Sequence, residues 1–209
     1  KHFYLGNNEI ISGYKEPIGH HGTFCLKEIL KQKTAFDILD INIANNYDEP
    51  QLNGIILGIK KAIDERADII NISLGMNEHS EELYKVCQEA IEHNIAIVSA
   101  ASHSGEVSYP ADLKNVISVQ VHSPEKIKTI DDSTLYVHMS KNIVQFGNSA
   151  TALNCTSMAA AHFSGILGKK LAGIPFYDKF SILKKDYGLN LDVSKNSVEK
   201  LDYKKCKLY

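Results

Sequence analysis

The chain has 209 residues, a formal charge of −2 at pH 7, and 44% hydrophobic and 23% charged residues. This composition is typical of a globular protein, and because no compositional shift suggests a linker, we expect one domain over residues 1–209. The small net charge argues against binding of nucleic acid or an anionic membrane, and no apolar run is long enough to span a bilayer. We therefore expect a soluble protein with no signal peptide in these residues, while its compartment stays open.

From Ala35 onward the chain alternates between β-rich and helical segments. FDILDINI, residues 36–43, predicts a strand, and Asp48 and Pro50 mark the start of a helix that ends near Arg66. The apolar positions of this helix share one face, and they are Leu52, Ile55, Ile56, Ile59 and Ile63. The run DIINIS, residues 68–73, predicts the next strand.

A second amphipathic helix follows, with Ser80 as its N-cap and Asn94 closing its C-terminus in a left-handed conformation. Its inward face is formed by Leu83, Val86, Cys87, Ala90 and Ile91. IAIVSAA, residues 95–101, and NVISVQV, residues 115–121, predict two further strands.

The β-α-β-α-β order with nearly continuous apolar strands predicts a three-layer α/β/α fold around a predominantly parallel sheet. In such sheets, binding sites lie at the carboxyl ends of the strands, here the loops after Ile43, Ser73 and Ala101. Residues 123–149 are less regular and are expected to hold short antiparallel strands. A helix is predicted from Thr156 to about Ala172, and the final thirty-odd residues show no clear period.

Four cysteines, Cys25, Cys87, Cys155 and Cys206, are scattered along the chain. They form no CxxC pair and no Cys/His cluster with ligand spacing, which argues against a zinc site and against a disulfide scaffold. Cys87 falls on the apolar face of a predicted helix and is expected to be a buried small hydrophobic residue.

The stretch TALNCTSMAAAHFSG, residues 151–165, places Ser157 among small residues near the start of the last predicted helix. A serine hydroxyl is a weak nucleophile until a base takes its proton, so a suitable histidine is needed elsewhere. GHHGTF, residues 19–24, supplies one, and His21 is preferred over His20 because it immediately precedes the Gly-Thr pair.

These segments together resemble the subtilisin-like serine peptidases, and they occur in that family's order over roughly residues 18–170. HGT at residues 21–23 is similar to the histidine motif, INISLG at 70–75 to the substrate-binding strand, and IVSAASHSG at 97–105 to the oxyanion strand and turn. LNCTSMAAAHFSG at 153–165 is similar to the nucleophile motif.

The resemblance implies that Ser157 is the nucleophile and His21 the general base. It implies that the Ser157 amide and the His103 side chain stabilise the oxyanion, and that an extended peptide pairs with Ser73, Leu74 and Gly75 and with Ala101 and Ser102. His162 is expected to pack within its helix, as the corresponding histidine of the family does. No organic cofactor is needed, and no cluster of oxygen ligands suggests calcium, so no metal site is predicted.

Several positions depart from the family pattern. His103 replaces the oxyanion asparagine, Cys155 replaces a glycine two residues before the serine, and Ala161 replaces a proline. After His21 the usual small residues give way to bulkier ones at positions 24–27, so the helix there must pack differently.

The family's catalytic aspartate, which lies on an early strand, has no counterpart among the twenty residues before His21. Glu16 is the nearest acid there, and Asp37 and Asp40 come after the histidine. Three explanations stay open: a fragment or processed chain whose acid comes from an upstream segment or another chain, a variant with a dyad or a substitute acid, and an inactive relative that binds peptides. We expect a serine endopeptidase acting on extended peptide or protein substrates, with a peptide-binding or regulatory module as the alternative.

Overall fold

The computed structural model describes residues 1–17, 19–44, 51–121, 127–129, 132–137, 143–146, 149–152, 155–172, 174 and 179–191. The strands are β1 (His2–Gly6), β2 (Glu9–Ser12), β3 (Asp40–Asn42), β4 (Ile69–Ile72), β5 (Ala96–Ala100), β6 (Ile117–Gln120), β7 (Ile127–Thr129), β8 (Thr134–Val137), β9 (Ile143–Phe146) and β10 (Ser149–Ala152). The helices are α1 (His21–Leu30), α2 (Leu52–Asp64), α3 (Glu81–Glu92), α4 (Thr156–Leu171) and α5 (Lys179–Tyr187).

The larger sheet has the order β4-β5-β6-β8-β7, in which the first four strands run parallel and β7 is antiparallel to β8. All five residues of β5 are buried, and they alternate between the two faces of the sheet. Val98 packs in the hydrophobic cluster that includes Phe163 of α4, whereas Ile97 packs in the cluster that includes Ile59 of α2 and Leu83 of α3. Helices therefore cover both faces, which confirms the predicted three-layer α/β/α fold.

A smaller sheet has the order β2-β1-β3, with β1 antiparallel to β2 and parallel to β3. Among the described strands, β3 and β4 each pair on one side only. Helix α2 joins them and packs against both, because Gly54 and Gly58 lie against Ile43 just beyond β3, while Ile70 and Ile72 of β4 join the cluster around α2. A Cβ atom on Gly54 would lie 2.9 Å from the Ile43 carbonyl oxygen, so α2 approaches the end of β3 as closely as a glycine permits.

The helix termini follow the sequence predictions. The Leu83 amide donates to Ser80 Oγ over 3.2 Å, so Ser80 is the N-cap of α3, and Asn94 has φ of +59°. Helix α4 begins at Thr156 and ends at Leu171, close to the expected bounds. The short antiparallel pairs β7–β8 and β9–β10 confirm the expectation for residues 123–149, although β10 extends past it to Ala152.

Three features differ from the sequence predictions or were missed by them. The strand expected over residues 36–43 is shorter, because only Asp40–Asn42 pairs with β1, and the helix markers Asp48 and Pro50 lie outside the described residues. The β1–β2 hairpin was not anticipated, although its turn residues Asn7 and Asn8 adopt positive φ values of 50° and 62°, as hairpin turns favour.

Helix α5 was also missed. It is attached to α4 by an edge-to-face contact of Tyr187 with Phe163 and by an ion pair of Asp186 with Lys170. Within the described part of the chain, no helix has the length and apolar character that crossing a membrane requires.

Candidate active site

His21 is the first residue of α1, and its exposed ring faces the end of β4. Nε2 lies 3.1 Å from the carbonyl oxygen of Ser73, and the Cys25 thiol, one helical turn further along, lies 3.8 Å from the same nitrogen. Because a carbonyl oxygen only accepts, the contact with Ser73 requires the proton on Nε2, which leaves Nδ1 as the acceptor of a neutral ring. The Ser73 carbonyl, just beyond β4, thus holds the His21 ring in place and favours the tautomer with the proton on Nε2.

Ser157 is the second residue of α4, whose N-cap is Cys155 in an extended conformation. Ser157 is 8% exposed, and the alanines that follow it, residues 159–161, are fully buried. The first amides of a helix have no partner within the helix and carry its positive dipole end, so the Ser157 amide is suited to stabilise negative charge. Small buried side chains allow this helix start to lie against the sheet.

Ser73, just beyond the end of β4, connects these two helix starts. Its carbonyl oxygen accepts from His21, and its hydroxyl donates to the backbone carbonyl of Ser157 over 2.9 Å. Asn71 Nδ2 donates to Ser73 Oγ over 2.9 Å, and Ser164, two turns along α4, donates to Asn71 Oδ1 over 3.0 Å. A polar network therefore holds the N-terminal half of α4 on β4 and brings His21 and Ser157 to the same strand end.

His103 lies in the turn after β5, and its Nε2 is 3.3 Å from Thr156 Oγ1, directly before Ser157. The turn is anchored at its base, since the Ala101 amide donates to Val119 and the Gln120 amide side chain donates to the Ser102 carbonyl over 3.3 Å. The structure therefore brings the side chain of His103 beside the start of α4.

Leu74 and Gly75 lead from Ser73 to Met76, which exchanges both backbone hydrogen bonds with Tyr109 over 2.9 and 2.7 Å. A Cβ atom on Gly75 would lie 2.0 Å from Ser108 Oγ, so the present position of the Ser108 hydroxyl leaves room only for a glycine where the two segments meet. This bridge holds the 73–76 segment in place next to His21.

The sequence of the chain matches the profile of the subtilase family over residues 13–182. The chain belongs to the subtilase family. It is 31% identical to an intracellular serine protease of Paenibacillus polymyxa over 156 residues, which cover 67% of this chain and 48% of that protein. It is 29% identical to subtilisin DY of Bacillus licheniformis over 147 residues, which cover 65% of this chain and 54% of that protein.

Two solved structures share the fold of this subtilase. Sphericase superposes with a TM-score of 0.56 at 20% identity, covering 70% of this chain and 59% of the other. A cold-adapted subtilisin-like serine proteinase gives a TM-score of 0.57 at 18% identity, covering 71% and 59%. The chain spans about half the length of these curated relatives, 48% of the Paenibacillus polymyxa protein and 45% of the major intracellular serine protease of Bacillus subtilis.

No triad acid is found beside His21 in the part of the chain that the structure describes. Among the described residues, no carboxylate makes a hydrogen bond or ion pair with His21. Glu16 accepts instead from the Tyr14 hydroxyl over 3.4 Å, and Asp40 pairs with His2 over 3.1 Å. Across the described ranges, no group of three or more histidine, cysteine or acidic side chains could hold a metal ion.

Sequence reasoning missed the groups that connect the predicted residues of this subtilase. Asn71, Ser164 and Thr156 were not singled out, although Asn71 is a polar residue inside the apolar run DIINIS and could have been noticed for that reason. Cys25 is buried beside His21, and burial raises the pKa of its thiol to about 11, so it stays protonated at neutral pH.

Proposed function

We propose that this subtilase is a serine endopeptidase in which Ser157 is the nucleophile and His21 the general base. The observation that carries the proposal is the double contact of Ser73, whose carbonyl oxygen holds His21 and whose hydroxyl holds the backbone of Ser157. Two residues separated by more than 130 positions meet at one strand end, where parallel sheets form their binding sites.

In the proposed reaction, Ser157 Oγ attacks the peptide carbonyl carbon while His21 Nε2 takes the hydroxyl proton. His21 then gives that proton to the leaving amine, an acyl-enzyme forms on Ser157, and water releases the acid by the same steps. The Ser157 amide stabilises the oxyanion, and we propose His103, held beside it by Thr156, as the second donor.

The tautomer described for His21 bears on this role. As a base, Nε2 must carry a lone pair toward Ser157, whereas its hydrogen bond to the Ser73 carbonyl puts the proton on that nitrogen. A carboxylate at Nδ1 would draw the proton to Nδ1 and free Nε2 to accept, and in a related triad the wrong tautomer costs about 10⁴ in rate. Full activity of this site therefore requires an acid partner at Nδ1.

We propose that this acid is carried by a strand from outside these 209 residues, either from a further segment of the same protein or from another chain. Among the described strands, β3 and β4 each have a neighbour on one side only, and α2 packs against both. A strand paired with β4 and parallel to it would end beside Ser73, which is the residue that holds His21.

The substrate we propose is an extended peptide that pairs with residues 73–75 on one side and lies near Ala101 and Ser102 on the other. Residues 73–75 follow the end of β4, and the Met76–Tyr109 bridge holds the segment in place. Ala101 and Ser102 follow the neighbouring strand β5, so both groups lie at the same edge of the sheet.

A fluorescent fluorophosphonate probe tests the proposal, applied to the full-length product of the gene. We expect labelling of the wild type that is lost in Ser157→Ala and slowed by at least about 10³-fold in His21→Ala, since removing a triad member costs this much or more. Ser12→Ala, at an exposed serine on β2 away from the site, is the matched control and should label like the wild type. A folded full-length protein that never reacts would instead favour a peptide-binding relative without catalysis.

A further inference from the structure

Glu28 is a buried acid on α1 that the proposed reaction does not use. Its side chain is 5% exposed, one carboxylate oxygen lies 2.8 Å from Nδ1 of His162 on α4, and the other lies 2.5 Å from Nζ of Lys31. Burial on its own raises the pKa of this carboxyl, but the hydrogen bonds from His162 and Lys31 outweigh burial and hold the pKa below its ordinary value. Glu28 is therefore ionised and held in place at neutral pH.

The contact joins the two helices that carry the proposed base and nucleophile. Glu28 lies two helical turns after His21 on the same face of α1, and His162 lies in the second turn of α4 after Ser157. The sequence expectation that His162 packs within its own helix is thus incomplete, because its ring reaches across to α1. A shift at this contact would be transmitted along both helices to their first residues.

The two backbones also approach each other closely in the same part of the interface. A Cβ atom on Gly165, one turn after His162, would lie 2.6 Å from the carbonyl oxygen of Ile29, the residue next to Glu28. Glycine permits the approach, but it makes no directional contact that would fix how α1 slides or rotates against α4. The Glu28–His162 hydrogen bond supplies that directional contact.

We propose that Glu28 and His162 are positioning residues that set the placement of His21 relative to Ser157, an inference that rests on the proposed function. Catalysis by an oriented base depends steeply on distance, and a misplacement of about 1 Å costs up to about 10²-fold in rate. A hydrogen-bonded pair that fixes the two helices relative to each other therefore affects the rate of the chemical step more than it affects substrate binding.

The test compares Glu28→Ala, His162→Ala, the double variant and Glu28→Gln in the full-length protein, using saturation kinetics of fluorophosphonate labelling. We expect each alanine variant to lower the maximal labelling rate by about 10- to 100-fold with little change in the half-saturating probe concentration. The double variant should be no slower than the slower single variant, because both remove one contact. Glu28→Gln keeps a hydrogen-bonding group at the site and should recover most of the rate, which also provides a variant that folds if alanine does not.

Asp186→Asn is the matched control, since it removes an ion pair from the other end of α4 without touching α1. It should label at the wild-type rate. Folded alanine variants that melt at a lower temperature but label at the wild-type maximal rate would overturn the inference, because the pair would then serve stability alone. A full-length wild type that does not label at all would overturn the proposed function and this inference with it.

Discussion

A close approach between the helices of the proposed base and nucleophile can be perturbed by a single methyl group at Gly165. In Gly165→Ala, the new Cβ would lie 2.6 Å from the Ile29 carbonyl oxygen, 3.0 Å from Gln32 Cγ and 3.1 Å from Ile29 Cα. Two of these three atoms belong to the backbone of the 29–32 segment, so the contact cannot be relieved by turning a side chain. Reaching even the 3.0 Å lower limit for a real Cβ contact requires the helices to separate by 0.4 Å.

Two opposing free-energy contributions decide whether Gly165→Ala stabilises or destabilises the protein. Alanine in place of glycine inside a helix is favourable by up to about 1 kcal/mol, whereas overpacking a tight interface costs about 1–3 kcal/mol. We expect Gly165→Ala to be destabilised by about 1–2 kcal/mol, measured as a lower urea midpoint at unchanged slope. We also expect slower fluorophosphonate labelling, because α1 moves relative to α4.

Gly168→Ala is the matched control in the same helix. Its Cβ would lie 2.7 Å from Cε1 of Phe36, the far end of a side chain that can move aside, so the destabilisation should be smaller than for Gly165→Ala. If Gly165→Ala is as stable as the wild type, or if Gly168→Ala costs more, then the close backbone approach does not limit the packing of α1 on α4.

Three further predictions concern other parts of the molecule. The folded-state pKa of Glu28 is depressed, so its contribution to stability is fully present above the ordinary value of 4.5 and is lost below it, as the pH falls through the lower folded-state pKa. The difference in urea midpoint between wild type and Glu28→Gln should therefore shrink on acidification below pH 4.5, and a constant difference would contradict this. Gly75→Ala should lower the urea midpoint because its Cβ meets Ser108 Oγ. Adding Ser108→Ala to the same chain should restore the midpoint, and if it does not, the contact with Ser108 is not the cause of the destabilisation. Iodoacetamide at neutral pH should modify half-buried Cys155 before Cys25, because Cys25 is buried and its thiol has a pKa of about 11. Equal modification rates of the two cysteines, measured by mass spectrometry, would contradict the described burial.

The layered fold could be predicted because its signals are local. Periodicity identified α2 and α3, capping residues marked the ends of α3, and the small-residue run located the start of α4 at Thr156. The prediction was less accurate where pairing depends on distant residues. Of residues 36–43, only Asp40–Asn42 pair with β1 and form a strand, and a local residue pattern does not reveal which residues a distant strand will pair with.

In the candidate site, too, the sequence predicted the residues that lie in local motifs but not the tertiary contacts between them. HGT and TSM identified His21 and Ser157, because a short motif fixes a residue at the start of its own helix. No motif identified Ser73 as the residue that contacts both, or Glu28 as the partner of His162 across 134 positions. These contacts depend on how α1, β4 and α4 pack, which a residue pattern within any one of them does not determine.

The contacts that bring α1 and α4 together at the candidate site do not involve the proposed acid partner of His21. The proposed nucleophile and base lie on helices that are connected by contacts made inside the described residues, through Ser73 just beyond β4 and through the Glu28–His162 pair between the helices. Nδ1 of His21 contacts no described carboxylate, so the arrangement of α1 and α4 does not depend on the acid, whereas the tautomer of the ring does. A strand added beside β4 would then act on helices that are already in place: its carboxylate would draw the proton to Nδ1 of His21, and Nε2 would give up its hydrogen bond to the Ser73 carbonyl to face Ser157.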